Sequence, residues 1–167
     1  MAKQLFVVVG VLVVVTITAW GQTAPSIQGV WRRVEVTVTN PNPAPGALAK
    51  GTHTNIQPGL LIFTGKHYSV QIDGAAKPRP SFKVAAKPTA EEMSAASGPY
   101  TANSGTYEIS GSTLTMRPMV AKNPDGQGKA TNRATVKVEK DNLWFTLIEN
   151  VTGKLANPTT AKYVRVE

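Results

Sequence analysis

The chain has 167 residues, 41% of them hydrophobic, and a formal net charge of +8. That length suits one domain with its own core, and that hydrophobic content excludes a wholly disordered chain. The absence of cysteine excludes a structural disulfide, a cysteine-ligated zinc, a thiol nucleophile and a lipid-modified cysteine.

Reading from the N-terminus, Lys3 precedes an uncharged apolar run over residues 5–19, and Ala19-Trp20-Gly21 places small residues at the −3 and −1 positions. This is the pattern of a secretory signal peptide over 1–21, cleaved between Gly21 and Gln22. The rival reading is an uncleaved anchor, but the apolar run is shorter than the ~20 residues a spanning helix needs. The expectation is a secreted or periplasmic protein with no membrane span in its mature form. Residues 22–27 are then a flexible lead-in and 28–167 the domain. Export and the scatter of the bases (Arg32-Arg33, Lys77, Arg79, Lys122, Lys129, Arg133, Lys137) argue against nucleic acid as a partner. The charge surplus reads as solubility and loose attraction to anionic surfaces.

The remainder is punctuated as strands. Val34, Val36 and Val38 alternate with Glu35, Thr37 and Thr39, the period of a strand with one buried face. Asn40-Pro41-Asn42-Pro43 and Pro45-Gly46 end it, because proline lacks an N–H and fixes φ; a loop is expected to Asn55. Residues 59–64 and 67–73 are the next two strands. Gly65-Lys66 between them suits a type II′ hairpin. A proline-rich connection follows through Pro78, Pro80 and Pro88. Within it Thr89-Ala90-Glu91-Glu92 has the form of a capping box, opening one short helix that Gly98-Pro99 closes. The paired glutamates read as capping and dipole compensation rather than acid/base chemistry.

Strands are then expected over 105–110, 113–120, 131–140, 143–149 and 162–167, with turns at Gly111 and Asp141-Asn142 and loops at 123–128 and around Gly153. Short strands at this spacing, mostly linked as hairpins, predict an all-β fold: an antiparallel up-and-down barrel of about eight strands with one short helix. Its last strand pairs with its first, because closure removes exposed edges.

Several motifs, taken in order, resemble those of the bacterial lipocalin-like domain family, a group of calycin-type β-barrels. They are Gly29-Val30-Trp31-Arg32, then residues 58–64, then His67-Tyr68-Ser69-Val70-Gln71, then the Thr-Ala-Glu-Glu helix, and then Tyr100 ahead of Gly105-Thr106-Tyr107-Glu108-Ile109. The resemblance covers most of the chain from Gln28 onward. The secretion signal and the proline-rich segment at 41–45 depart from the family pattern, which separates this chain from any intracellular enzymatic role of relatives. The resemblance implies that Trp31 plugs the closed end of the barrel and that Arg165, on the last strand, lies over its ring.

No catalytic motif is present: there is no Gly-x-Ser-x-Gly elbow, Walker loop or dinucleotide fingerprint. Gly126-Gln127-Gly128 lacks the strand and helix of a phosphate cradle, and Asn150-Val151-Thr152 is a formal glycosylation sequon only. The two histidines, His53 and His67, show no metal-ligand spacing, so neither a metal nor a cofactor is expected. A barrel interior binds through apolar and aromatic walls with a few placed polar groups. The candidate ligand-binding residues are therefore Phe63, Tyr68, Tyr107, Met116 and Trp144, with Arg117 and Arg133 available to an anionic head group. Trp144 and Phe145 are adjacent and must face opposite sides; the sequence leaves open which faces inward. The expected partner is a small hydrophobic molecule. An isomerase- or cyclase-type enzyme holding a reactive conformation, and a filled barrel with a structural or interaction role, are the alternatives.

Overall fold

A computed structural model describes residues 26–128 and 130–167, so the expected signal segment lies outside the described residues. The elements are β1 (Gly29–Val38), β2 (Gly51–His53), β3 (Gly59–Phe63), β4 (His67–Asp73), α1 (Ala90–Ser97), β5 (Tyr100–Ser110), β6 (Thr113–Ala121), β7 (Asn132–Glu139), β8 (Asn142–Asn150) and β9 (Gly153–Arg165). From β3 to β9 every strand pairs antiparallel with the next. β1 pairs with β3 on one side and β9 on the other, which closes eight strands into the expected up-and-down barrel.

Closure uses β1 in two halves. Its first half, Gly29 to Arg32, pairs with β3; beyond the end of β3 its other half pairs with β2, Val36 opposite His53 and Val38 opposite Gly51. The sequence predicts a loop here. β2 is too short to show periodicity, and it forms because the second half of β1 would otherwise present unpaired backbone groups. The last strand also starts earlier than its sequence suggests, at Gly153. Pro158 argues against a regular strand there. The structure accommodates it where the β8–β9 register shifts between Leu147 and Glu149, and its carbonyl accepts a 2.7 Å hydrogen bond from the Thr39 hydroxyl. The β3–β4 hairpin has the expected two-residue loop, with Phe63 opposite Tyr68. Gly65 is not among the glycines with positive φ, so the turn is not type II′.

The connections divide the barrel into two ends. Two-residue loops join β3–β4, β5–β6 and β7–β8 at the end where β1 begins and β9 finishes. The segment carrying β2, the segment carrying α1 and the β6–β7 connection all lie at the other end. α1 starts with the predicted capping box: Thr89 Oγ1 accepts from the Glu92 N–H, and the Glu92 carboxylate accepts from the Thr89 N–H. These backbone bonds hold the Glu92 carboxyl below the usual carboxylate range.

A bulge in β1 sets what faces the interior. Arg33 pairs with Tyr163, but the next partners are Glu35 and Lys162, so Val34 is the extra residue. A bulge shifts the two-residue alternation by one. Trp31, Arg33, Val36 and Val38 are therefore all buried, while Val34 is only half-buried. The expected Val34-Val36-Val38 face is corrected accordingly. A second irregularity lies at Ser104/Gly105, where a β-carbon on Gly105 would stand 2.0 Å from the Arg117 carbonyl oxygen. Only glycine lets β5 and β6 approach so closely.

The end with the tight hairpins is packed solid. Trp31, Leu61, Leu114 and Leu143 are fully buried there, and the Trp31 indole N–H donates to the Ile27 carbonyl at 2.7 Å. Ile27 is itself buried and belongs to this core. The Arg165 guanidinium lies 4.1 Å from the Trp31 ring centroid and donates to the Gln28 and Ser26 carbonyls. It is thus both a cation–π partner and a clasp that ties the entering chain to the last strand. Replacing Trp31 with Ala removes the plug and leaves a cavity. The expected loss is about 3–5 kcal/mol of unfolding free energy, measured by urea denaturation; an unchanged midpoint would refute the plug assignment.

A cavity at the loop end of the barrel

Past the plug, side chains no longer fill the barrel. A cavity of about 440 Å³ is walled by inward residues of β1 and β4 to β9, among them Val36, Val70, Ile72, Met116, Phe145, Leu147 and Ala161. Alternation explains this set: Met116 and Pro118 on β6, Phe145 and Leu147 on β8, and Thr159, Ala161 and Tyr163 on β9 lie two residues apart along their strands. The walls also carry a few polar groups, including Asn103, Asn132, Arg33 and Tyr163, with Lys122, Asn123 and Asn150 coming from the strand ends and connections at the rim. The Tyr68 hydroxyl donates to the Asn103 side-chain oxygen at 2.7 Å.

Arg33 is the unusual member. It is 9% exposed, and Nη2 donates to the carbonyls of Gln57 at 2.7 Å and Asp73 at 2.5 Å. Its Nε is buried and has no hydrogen-bond partner among the described residues. Gly59 makes room for it, since a β-carbon there would stand 2.8 Å from Arg33 Nε and 3.0 Å from its Cβ. Burial lowers the Arg33 pKa, and the nearby Tyr163 and Asp73 oppose that shift.

On its far side Arg33 borders a second, rim-level hollow of about 490 Å³ shared with Gln57, Gly59, Gln71, Asp73, Arg79 and Tyr100. There the Asp73 carboxylate accepts from Arg79 Nε at 2.6 Å and from the Ala75 N–H at 3.0 Å. The Arg79 guanidinium lies 4.9 Å from the Tyr100 ring centroid. This hollow is lined by three arginines and one carboxylate, beside an apolar wall of Ile56, Pro58, Leu60 and the Tyr100 ring.

The candidate residues fall into three groups. Met116 lines the cavity, and Tyr68 reaches it through Asn103. Phe63 and Tyr107 pack edge to face at the solid end, 5.2 Å between centroids, and the Tyr107 hydroxyl donates to the Thr64 carbonyl. Arg117, Arg133 and Trp144 stand on the outside of the barrel. Arg117 pairs with Glu108 at 3.1 Å and Arg133 with Glu149 at 3.9 Å. Trp144 has Lys137 and Lys162 over its ring at 5.5 and 5.4 Å, so Phe145 is the inward residue of the adjacent pair. The cavity wall also carries Arg33, Asn103, Asn132 and Tyr163, which the sequence pattern does not single out. Trp31 and Arg33 share one alternation phase, a signal that points to Arg33, but the valine pattern after the bulge has the opposite phase and masks it.

No family model matches this chain, and no curated protein matches it. Among the described residues no helix is long and apolar enough to cross a membrane. His53 and His67 sit at opposite ends of the barrel, beside Val36 on β2 and at the β3–β4 turn respectively.

Burial drives the Tyr68 and Tyr163 hydroxyls well above the ordinary tyrosine value, the Arg33 charge partly offsetting this at Tyr163. A folded-state pKa raised above the unfolded one means the stabilisation is complete below pH ~10 and is lost as pH rises beyond it. Denaturation midpoints should therefore fall as pH rises above about 10, and less steeply in Tyr68→Phe than in the wild type. Equal slopes in the two proteins would contradict the burial effect.

Proposed function

We propose that this protein is an exported, lipocalin-like carrier that holds one small, largely apolar molecule in the loop end of its barrel. The observation that carries the reading is the division of the interior. Its hairpin end is a packed core around Trp31, and its loop end is a cavity of about 440 Å³ with aliphatic and aromatic walls and a few polar groups. That volume falls within the roughly 300–1,000 Å³ of typical small-molecule sites. The long connections gather around the same end, as expected where a rigid scaffold presents a binding site. The order of motifs from Gly29-Val30-Trp31 through Tyr107, together with the Trp31–Arg165 stack, supports the lipocalin-like reading. The signal-like segment at 1–21 supports export.

A fluorescent apolar probe such as 1-anilinonaphthalene-8-sulfonate tests the cavity. It should bind with one-to-one stoichiometry, and Thr159→Trp, which fills the cavity from the β9 wall, should weaken binding at least about tenfold while the protein still unfolds cooperatively. Probe binding unaffected by the filled cavity would overturn the assignment. For export, N-terminal sequencing of the native protein should begin at Gln22; a sequence beginning at Met1 would overturn that part.

A further inference from the structure

We propose that the rim-level hollow is a second binding site, on the outside of the barrel wall, and that it takes a small organic carboxylate with a compact apolar body. Three observations carry the inference.

The first is place. Arg32, Leu60 and Gln71 lie side by side across β1, β3 and β4. Their chain neighbours Trp31, Leu61 and Val70 are buried in the core, so alternation turns this rank to the outer face of the sheet. All three line the hollow and none lines the barrel cavity. Tyr100 and residues 56–58 complete a space of about 490 Å³. Its walls are held without a ligand. Arg33 holds the Gln57 carbonyl, and Arg79 joins Asp73 to the Ala96 carbonyl while lying over the Tyr100 ring. A site fixed in advance loses less to ordering on binding.

The second is a surplus of donors. Three guanidinium groups share the hollow with one carboxylate. The acceptors there are already engaged. The Asp73 carboxylate accepts from Arg79 and the Ala75 N–H, the carbonyls of Asp73 and Gln57 accept from Arg33, and the Gln71 side-chain oxygen accepts from the Tyr100 hydroxyl. Arg32 is exposed, and no ion pair or hydrogen bond among the described residues uses its side chain. Its planar fork of N–H groups matches the two oxygens of a carboxylate. The third is the apolar surface beside it. Leu60 lies between Arg32 and Gln71, and Ile56, Pro58 and the Tyr100 ring stand around it. A bare inorganic anion would leave that surface in water, whereas an apolar body covers it.

Phenylacetate and 2-phenylethanol, which share a ring and differ in the head group, form the test. Titrations of the purified protein at neutral pH are followed through the backbone amide resonances. Phenylacetate should shift the amides of Leu60 and Gln71 and bind at least about fivefold more tightly than the alcohol. Arg32→Gln, a change on the outer face and off the cavity wall, should bring the two affinities together. Inorganic phosphate should bind more weakly than phenylacetate. The wild-type comparison needs no variant, so the test stands whether or not Arg32→Gln folds. Equal affinities for acid and alcohol, shifts confined to Phe145 and Ala161 on the cavity wall, or phosphate binding as tightly as phenylacetate would each overturn this site and leave the carrier reading standing.

Discussion

The pairing of β1 with β9, with one extra residue inserted in β1, is the constraint on which the rest depends. A regular strand with alternating faces would bring either Trp31, Arg33 and Glu35 inward, or the valines, but not both sets. The bulge at Val34 lets the first half of the strand deliver the plug and the arginine and the second half deliver Val36 and Val38 to the same interior. The same strand changes partner on its other edge, from β3 to β2, just past this point. Arg33 thus lies where the regular ladder with β3 has ended. That is why its guanidinium finds the carbonyls of Gln57 and Asp73 instead of a wall of side chains.

The two ends of the barrel follow different physics. The hairpin end closes with two-residue loops and is filled by large side chains, with Arg165 stacked on Trp31 and hydrogen-bonded to the entering segment. It supplies stability and leaves no room for a ligand. At the loop end the inward positions alternate between aliphatic groups and amides, hydroxyls or Arg33, and space remains between them. The longer connections there are anchored rather than loose. Arg79 ties the proline-rich segment to Asp73 and to the Ala96 carbonyl, and the Lys122 ammonium gathers the carbonyls of Ser97, Gly98 and Tyr100 at the end of α1. A stable plug at one end lets the other end keep a cavity.

Much of the strand order was legible because hairpin turns and two-residue periodicity are local. So were the capping box and the Trp31–Arg165 pairing implied by the resemblance. The site was less legible, for definite reasons. Arg117 and Arg133 looked available to an anion, but alternation puts them outside, beside Glu108 and Glu149. Trp144 is the largest aromatic of its strand, yet the inward residue is Phe145, because the register of β8 against β7 and β9 sets Trp144 between two lysines. Arg33 was hidden by a change of phase that only pairing with Tyr163 and Lys162 reveals.

By itself the sequence determined the class of fold, the helix start at Thr89 and the absence of any disulfide, whereas the plug at Trp31 was implied by the resemblance alone. The first three are matters of composition, local periodicity or short-range capping. Only the tertiary structure decided the phase of β1, the face of each aromatic on β8, the formation of β2 and the meeting of Arg33 with Gln57, Asp73 and Tyr163. These depend on which strands become neighbours and in what register, and a one-residue shift in register exchanges the inside of a barrel for its outside.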